Sequence, residues 1–115
     1  MIIKQWHIYI VDLEPNIGSK PGKQRPCLCI QPTIFSENGL PSSIFLPITT
    51  KLMPEETYPL RVKVPKGECG LTKNSDIMVD QIISWDTKYV KEDLGQISEL
   101  TQMKVKTALK MFLDL

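Results

Sequence analysis

Histidine is almost missing from this sequence: His7 is the only one in 115 residues, and cysteine occurs three times, at Cys27, Cys29 and Cys69. One imidazole is a poor start for a metal cage, and three thiols cannot all pair as disulfides. Cys27 and Cys29 alternate within a strand-like run, which sets both thiols on one face as small buried hydrophobes. No metal and no cofactor is expected. Long apolar runs are also lacking. Met1-Ile2-Ile3-Lys4-Gln5-Trp6 has no apolar core of the kind a signal peptide needs, and no later stretch approaches a membrane span. The cytoplasm is therefore the expected compartment, without a membrane partner. An excess of one charge is absent too. Lys and Arg number 14 against 13 Asp and Glu, a formal net charge of +1, so nucleic-acid binding would need a local patch rather than a global field. No repeat, low-complexity tract or linker interrupts the chain. Residues 1–115 read as one domain, long enough to bury roughly 65% of its unfolded surface.

A local patch is present. The stretch Gly18-Ser19-Lys20-Pro21-Gly22-Lys23-Gln24-Arg25-Pro26 holds two lysines and an arginine and no acid. Its glycines and prolines allow a turn and a close backbone approach. Such a cationic rim at the mouth of two strands suits a ligand carrying phosphates, although from the residues alone it also suits a plain solvated connection. Before it, His7 to Leu13 alternates and is rich in β-branched and aromatic residues, the pattern of a strand. After it, Pro26 to Gln31 is apolar without alternation, as in a strand buried on both faces. Thr33 to Ser42 reads as loop, with Asn38-Gly39 and Pro41 as turn signals. Ser43 to Ile48 reads as a third strand, with Pro47 pointing to an edge or bulge near its end. Met53 to Pro59 reads as a connection or hairpin arm whose return strand is Leu60 to Val64. Asp76 to Ile83 reads as one strand carrying a polar pair, Asp80-Gln81. Asp86 to Asp93 is polar with room for one helical turn, and Leu94 to Ile97 reads as a short strand. Ser98, followed by Glu99, suits a helix N-cap. The helix it opens has an apolar stripe of Leu100, Met103, Ala108, Leu109 and Phe112, with Lys104, Lys106 and Lys110 facing out.

The ordered segments Ile8-Tyr9-Ile10-Val11-Asp12-Leu13-Glu14-Pro15, Gly18-Ser19, Gln24-Arg25-Pro26, Pro47-Ile48-Thr49-Thr50, Gly70-Leu71 and Asp80-Gln81 resemble the MazF/PemK family. Any one piece occurs by chance, but six in order over nearly the whole chain are specific. The resemblance implies a mainly β, SH3-like twisted barrel with a C-terminal α-helix. It also implies a sequence-specific, metal-independent endoribonuclease, an mRNA interferase toxin of a toxin–antitoxin module. Such a protein is a homodimer silenced by a cognate MazE-like antitoxin, and its substrate is single-stranded mRNA.

Metal-free cleavage of RNA uses the substrate's own 2′-hydroxyl as nucleophile and leaves a 2′,3′-cyclic phosphate. The protein must manage two protons and stabilise charge on the phosphoryl oxygens. By resemblance Arg25 and Thr49 are the main catalytic residues, with Asp80 as an assisting and Ser19 as a further catalytic candidate. A guanidinium offers a planar fork that stays charged, and a hydroxyl can orient the phosphate. Asp80 matches an acidic position proposed as base in some relatives, but the arginine they carry two residues earlier is Met78 here. Ser19 stands where some relatives have histidine and cannot shuttle a proton near neutrality. Lys20 and Pro21 depart from a more usual acidic-amide pair. Lys20, Lys23, Gln24, Thr50, Lys51 and Gln81 are candidate RNA-binding residues, with Asn74 a further reader and Phe35 or Tyr58 as stacking platforms. Two other readings remain. A CcdB-like gyrase poison shares the fold without catalysis but acts through the end of its C-terminal helix, including a tryptophan, whereas here both tryptophans, Trp6 and Trp85, lie elsewhere. A catalytically silent relative would bind only antitoxin or RNA.

Overall fold

A computed structural model of the chain describes residues 1–14 and 23–115. The described strands are β1 (His7–Asp12), β2 (Gln24–Cys29), β3 (Ser42–Thr49), β4 (Arg61–Val64), β5 (Ser75–Met78), β6 (Ile83–Asp86) and β7 (Val90–Gln96); the helices are α1 (Thr33–Glu37) and α2 (Glu99–Leu113). Every pairing is antiparallel, in the order β4-β5-β3-β2-β1-β7, with β6 paired to β3 off that path. This is the mainly β fold with a C-terminal helix that the sequence predicts. Among the described residues the strand path is open, running from β4 to β7, and α2 packs against β4.

The central strands are buried on both faces. Ile8, Leu28 and Leu46 join one core with Val62, Val64 and Ile77 of the neighbouring strands and Val105 and Ala108 of α2. Their sequence neighbours Tyr9, Cys27, Cys29 and Phe45 point the other way, into a second core with Ile3 and Val90. That division explains why β2 reads as an unbroken apolar run: successive residues fill different cores.

Six expectations change, one of them a boundary: β7 begins at Val90, inside the stretch read as polar, rather than at Leu94. Thr33–Glu37 is helical rather than loop; Pro32 at its N-cap has φ −55, already suited to a helix entry, and Gly39 takes φ 87 in the turn beyond. Pro47 lies in an interior strand, not an edge. The Ile30 N–H donates to the Ile44 carbonyl, so by the two-residue period of a strand the backbone of Pro47 faces away from β2. On that side β3 changes partner, from β6 (ending at Phe45↔Ile83) to β5 (starting at Ile48↔Ile77), and the missing N–H falls in the gap. Asp76 to Ile83 is consequently two strands, separated by the turn at Val79 and Asp80. Met53 to Pro59 forms no hairpin arm: it holds a short 3-10 turn, Glu55–Thr57, and β4 pairs with β5. In α2 the buried residues are Thr101, Val105 and Ala108, while Leu100 and Met103 are 63% and 66% exposed. The stripe is displaced because Thr101 can be buried: its hydroxyl donates to the Glu68 carboxylate at 3.1 Å. Ser98 caps the helix as predicted, accepting the Thr101 N–H at 3.2 Å.

Candidate functional site

Where β2 begins and β3 ends, the two strands open a cleft of about 380 Å³. The β2–β3 register is Cys27↔Pro47, Leu28↔Leu46 and Cys29↔Phe45; followed two residues further along each strand, it leads to Arg25 and Thr49. Both line the cleft, as do Thr50 and Lys51. Arg25 is half-buried in β2 across from Val11 of β1, and among the described residues no carboxylate lies within ion-pairing distance of it. Its fork is therefore available to a ligand. The Thr49 Oγ1 accepts the Lys51 N–H at 3.1 Å. That contact uses a lone pair and leaves the hydroxyl proton to donate into the cleft.

The far wall was not legible as a site. Leu71, Thr72, Lys73 and Ser75 complete the lining, presented by a bend that follows left-handed residues Gly67, Cys69 and Gly70. The polar cluster between Gly70 and β5 signals a loop, but nothing in it announces a ligand. With Lys73 the lining carries, among the described residues, three cations, Arg25, Lys51 and Lys73, and no carboxylate. The chain is nearly neutral, yet this cleft is positive.

The remaining candidates are placed differently. Lys23 and Gln24 are exposed at the entry to β2 and do not line the cleft. Asp80 and Gln81 sit at the β5–β6 turn, outside the lining, with Gln81 Nε2 donating to Asp80 Oδ2 over a long 3.5 Å. Asn74 accepts the Lys66 N–H at 2.8 Å. Phe35 and Tyr58 are exposed and also outside the cleft. Ser19 and Lys20, with Pro21, lie outside the described residues.

No grouping among the described residues could hold a metal. Burial pushes the Cys27 thiol up to about 12, with the Arg25 charge pulling the other way. Burial likewise pushes Cys29 up to about 11, against the hydrogen bond to Gln31. Neither offers a thiolate near neutral pH. His7 is engaged on the first strand, its Nδ1 3.0 and 3.1 Å from the two Asp93 oxygens. Burial acts to raise the Asp93 carboxyl, but the hydrogen bonds from His7 and the Gly95 N–H and the nearby positive charge outweigh it and hold the group below its ordinary value.

The comparisons agree with this architecture. Endoribonuclease EndoA of Bacillus subtilis (strain 168) is 30% identical over 115 residues, covering 100% of this chain and 97% of its own length. Endoribonuclease MazF of Staphylococcus epidermidis is 31% identical over 114 residues, covering 99% and 93%. The crystal structure of MazE-MazF from Deinococcus radiodurans superposes with a TM-score of 0.79 at 19% identity, over 100% of this chain and 99% of that one, which establishes the shared fold. The family model for PemK-like, MazF-like toxins of type II toxin–antitoxin systems matches residues 4–113. With the ordered segments, the open antiparallel sheet and the C-terminal helix all in agreement over that length, the chain belongs to the PemK/MazF toxin family.

Proposed function

We propose that the protein is an endoribonuclease toxin that cuts single-stranded mRNA at the Arg25–Thr49 cleft. The observation that carries this is the lining itself: three cations, a strand-end hydroxyl free to donate, and no carboxylate to repel a phosphodiester. Arg25 spans two phosphoryl oxygens with its fork and Thr49 donates to one of them, so charge is met where it develops. The 2′-oxygen forms a bond to phosphorus as the bond to the 5′-oxygen breaks. One proton leaves the 2′-hydroxyl for solvent and another reaches the departing 5′-oxygen from water, while Arg25 stays charged. The products are a 2′,3′-cyclic phosphate and a free 5′-hydroxyl. Lys51 and Lys73 hold neighbouring phosphates and keep the strand in line. This division of labour rests on positioning and charge rather than on an acid–base pair. The toxin works in the cytoplasm as a homodimer and is silenced by a cognate antitoxin that covers the RNA-binding surface.

The test is incubation of the purified protein with a long unstructured RNA in EDTA, followed by end analysis. Discrete cuts with a cyclic phosphate upstream are expected, and added antitoxin should stop them. No cutting of any RNA, together with stalled gyrase, would transfer the reading to a gyrase poison, and activity abolished by chelator would end the metal-free mechanism.

A further inference from the structure

Across the β3–β5 ladder from Thr49 stands Asp76, a residue that neither the strand pattern nor the family segments single out. Its side chain is fully buried. One carboxylate oxygen, Oδ2, accepts the Met53 N–H at 2.8 Å. The other, Oδ1, lies 2.9 Å from the Lys63 ammonium, and Lys63 is the β4 residue in register with Asp76. The same ammonium donates to the Met53 carbonyl. One ion pair therefore holds both backbone polar groups of Met53.

Met53 lies within the exposed segment that leaves β3. Between Thr49 and Met53 run Thr50, Lys51 and Leu52, all exposed and none in a strand. Thr50 and Lys51 line the cleft. Apart from the Lys51 N–H to the Thr49 hydroxyl, the grip on Met53 is what fixes this segment to the sheet; without it the segment would have the few buried contacts typical of locally opening loops. Asp76 is buried and the Lys63 side chain is 36% exposed, and such a pair adds little net stability over an apolar pair of similar size. What this one supplies, and two leucines would not, is a fixed anchor point for the chain beyond Thr49.

We propose that Asp76, paired with Lys63, is a positioning residue for cleavage: by pinning Met53 it keeps the Thr49 hydroxyl and Lys51 aimed at the phosphate. The proposal rests on the reading of the cleft as a nuclease site. The decisive comparison is the wild type against the double variant Lys63→Leu/Asp76→Leu, which replaces the cross-strand ion pair by an apolar pair, with Asp76→Asn beside it. Thermal stability, amide hydrogen exchange at residues 51–53, and kcat and KM for RNA cleavage are measured on all three. The double variant should keep its melting temperature yet exchange faster at 51–53. Its kcat should fall by roughly tenfold to a hundredfold, the effect of a displacement on the ångström scale, with KM held within about threefold because the cations remain. Asp76→Asn, which keeps an acceptor for the Met53 N–H, should lose less. A double variant with wild-type kcat, or with wild-type exchange at 51–53, overturns the proposal. If the double variant does not fold, Asp76→Asn decides: unchanged kcat refutes, and lowered kcat at an unchanged melting temperature supports. Should the wild type cut no RNA, the nuclease reading fails by itself, and the exchange data still show whether the pair fixes the segment.

Discussion

Replacing Arg25 by alanine separates chemistry from folding cleanly in this protein. The guanidinium is half-buried, has no carboxylate partner among the described residues, and belongs to a strand whose core contacts come from Cys27, Leu28 and Cys29. Removing it strands no buried charge and opens no core cavity, so stability should change by about 0.5 kcal/mol or less. Catalysis should suffer far more. Loss of a preorganised donor at a developing oxyanion costs about a hundredfold to a thousandfold in kcat, or about 2.7–4 kcal/mol. Lys51 and Lys73 remain in the lining, so RNA still binds and most of the loss falls on kcat rather than KM. Arg25→Lys keeps the charge but not the fork, and recovers only part of the rate. The assay is single-turnover cleavage of a defined oligoribonucleotide in EDTA, alongside a melting curve for each variant. A kcat within about threefold of wild type for Arg25→Ala, or a loss that tracks unfolding, would refute the assignment.

Other outcomes follow from the same geometry. With three lining cations contacting phosphates, the affinity for single-stranded RNA should fall with a log–log salt slope of about −2, roughly twentyfold between 50 and 200 mM salt; a flat dependence in a filter-binding titration would deny the cleft its phosphates. For Cys27, whose thiol burial pushes up to about 12, about one molecule in ten thousand carries the thiolate at pH 8, so alkylation should wait for unfolding. Since Cys27 and Cys29 are raised in the fold, their contribution to stability is complete below the unfolded value of about 8.5 and is lost above it at up to about 1.4 kcal/mol per pH unit for each thiol. Urea midpoints between pH 8.5 and 10 would show that decline, smaller in Cys27→Ala. Ser98→Ala removes the acceptor for the Thr101 N–H and should cost about 1 kcal/mol by chemical denaturation.

The strands were largely legible because their patterns are strong. β1 alternates with β-branched and aromatic residues, and β2 is apolar at every position that feeds either core. Arg25 and Thr49 were legible only as matches to family segments; that they share a cleft follows from the β2–β3 register, which no local pattern encodes. The errors have equally local causes. α1 is five residues long, too short to show a helical period. The α2 stripe is shifted because a threonine with a carboxylate partner packs like an apolar residue. Lys63 and Asp76 carry no local signal of their pairing; only the β4–β5 ladder brings them into register. Thr72 and Lys73 belong to a bend whose course depends on left-handed Cys69, a conformation a cysteine does not advertise.

That buried pair also bears on the electrostatics of the cleft. Lys and Arg exceed Asp and Glu by a single charge in the whole chain, so attraction of RNA depends on where each acid is kept. Among the residues that line the cleft there is none, but Asp76 stands directly across the ladder from Thr49, where an unopposed carboxylate in a low-dielectric core would repel a phosphate bound at the hydroxyl. The Lys63 ammonium at 2.9 Å and the Met53 N–H at 2.8 Å meet that charge. The carboxylate can thus anchor the chain beyond Thr49 while its field is cancelled within the sheet. Position and potential at the phosphate are set by one interaction, and a change to Lys63 alone, which leaves the anchor half in place, frees a negative charge beneath the strand end that must hold the substrate.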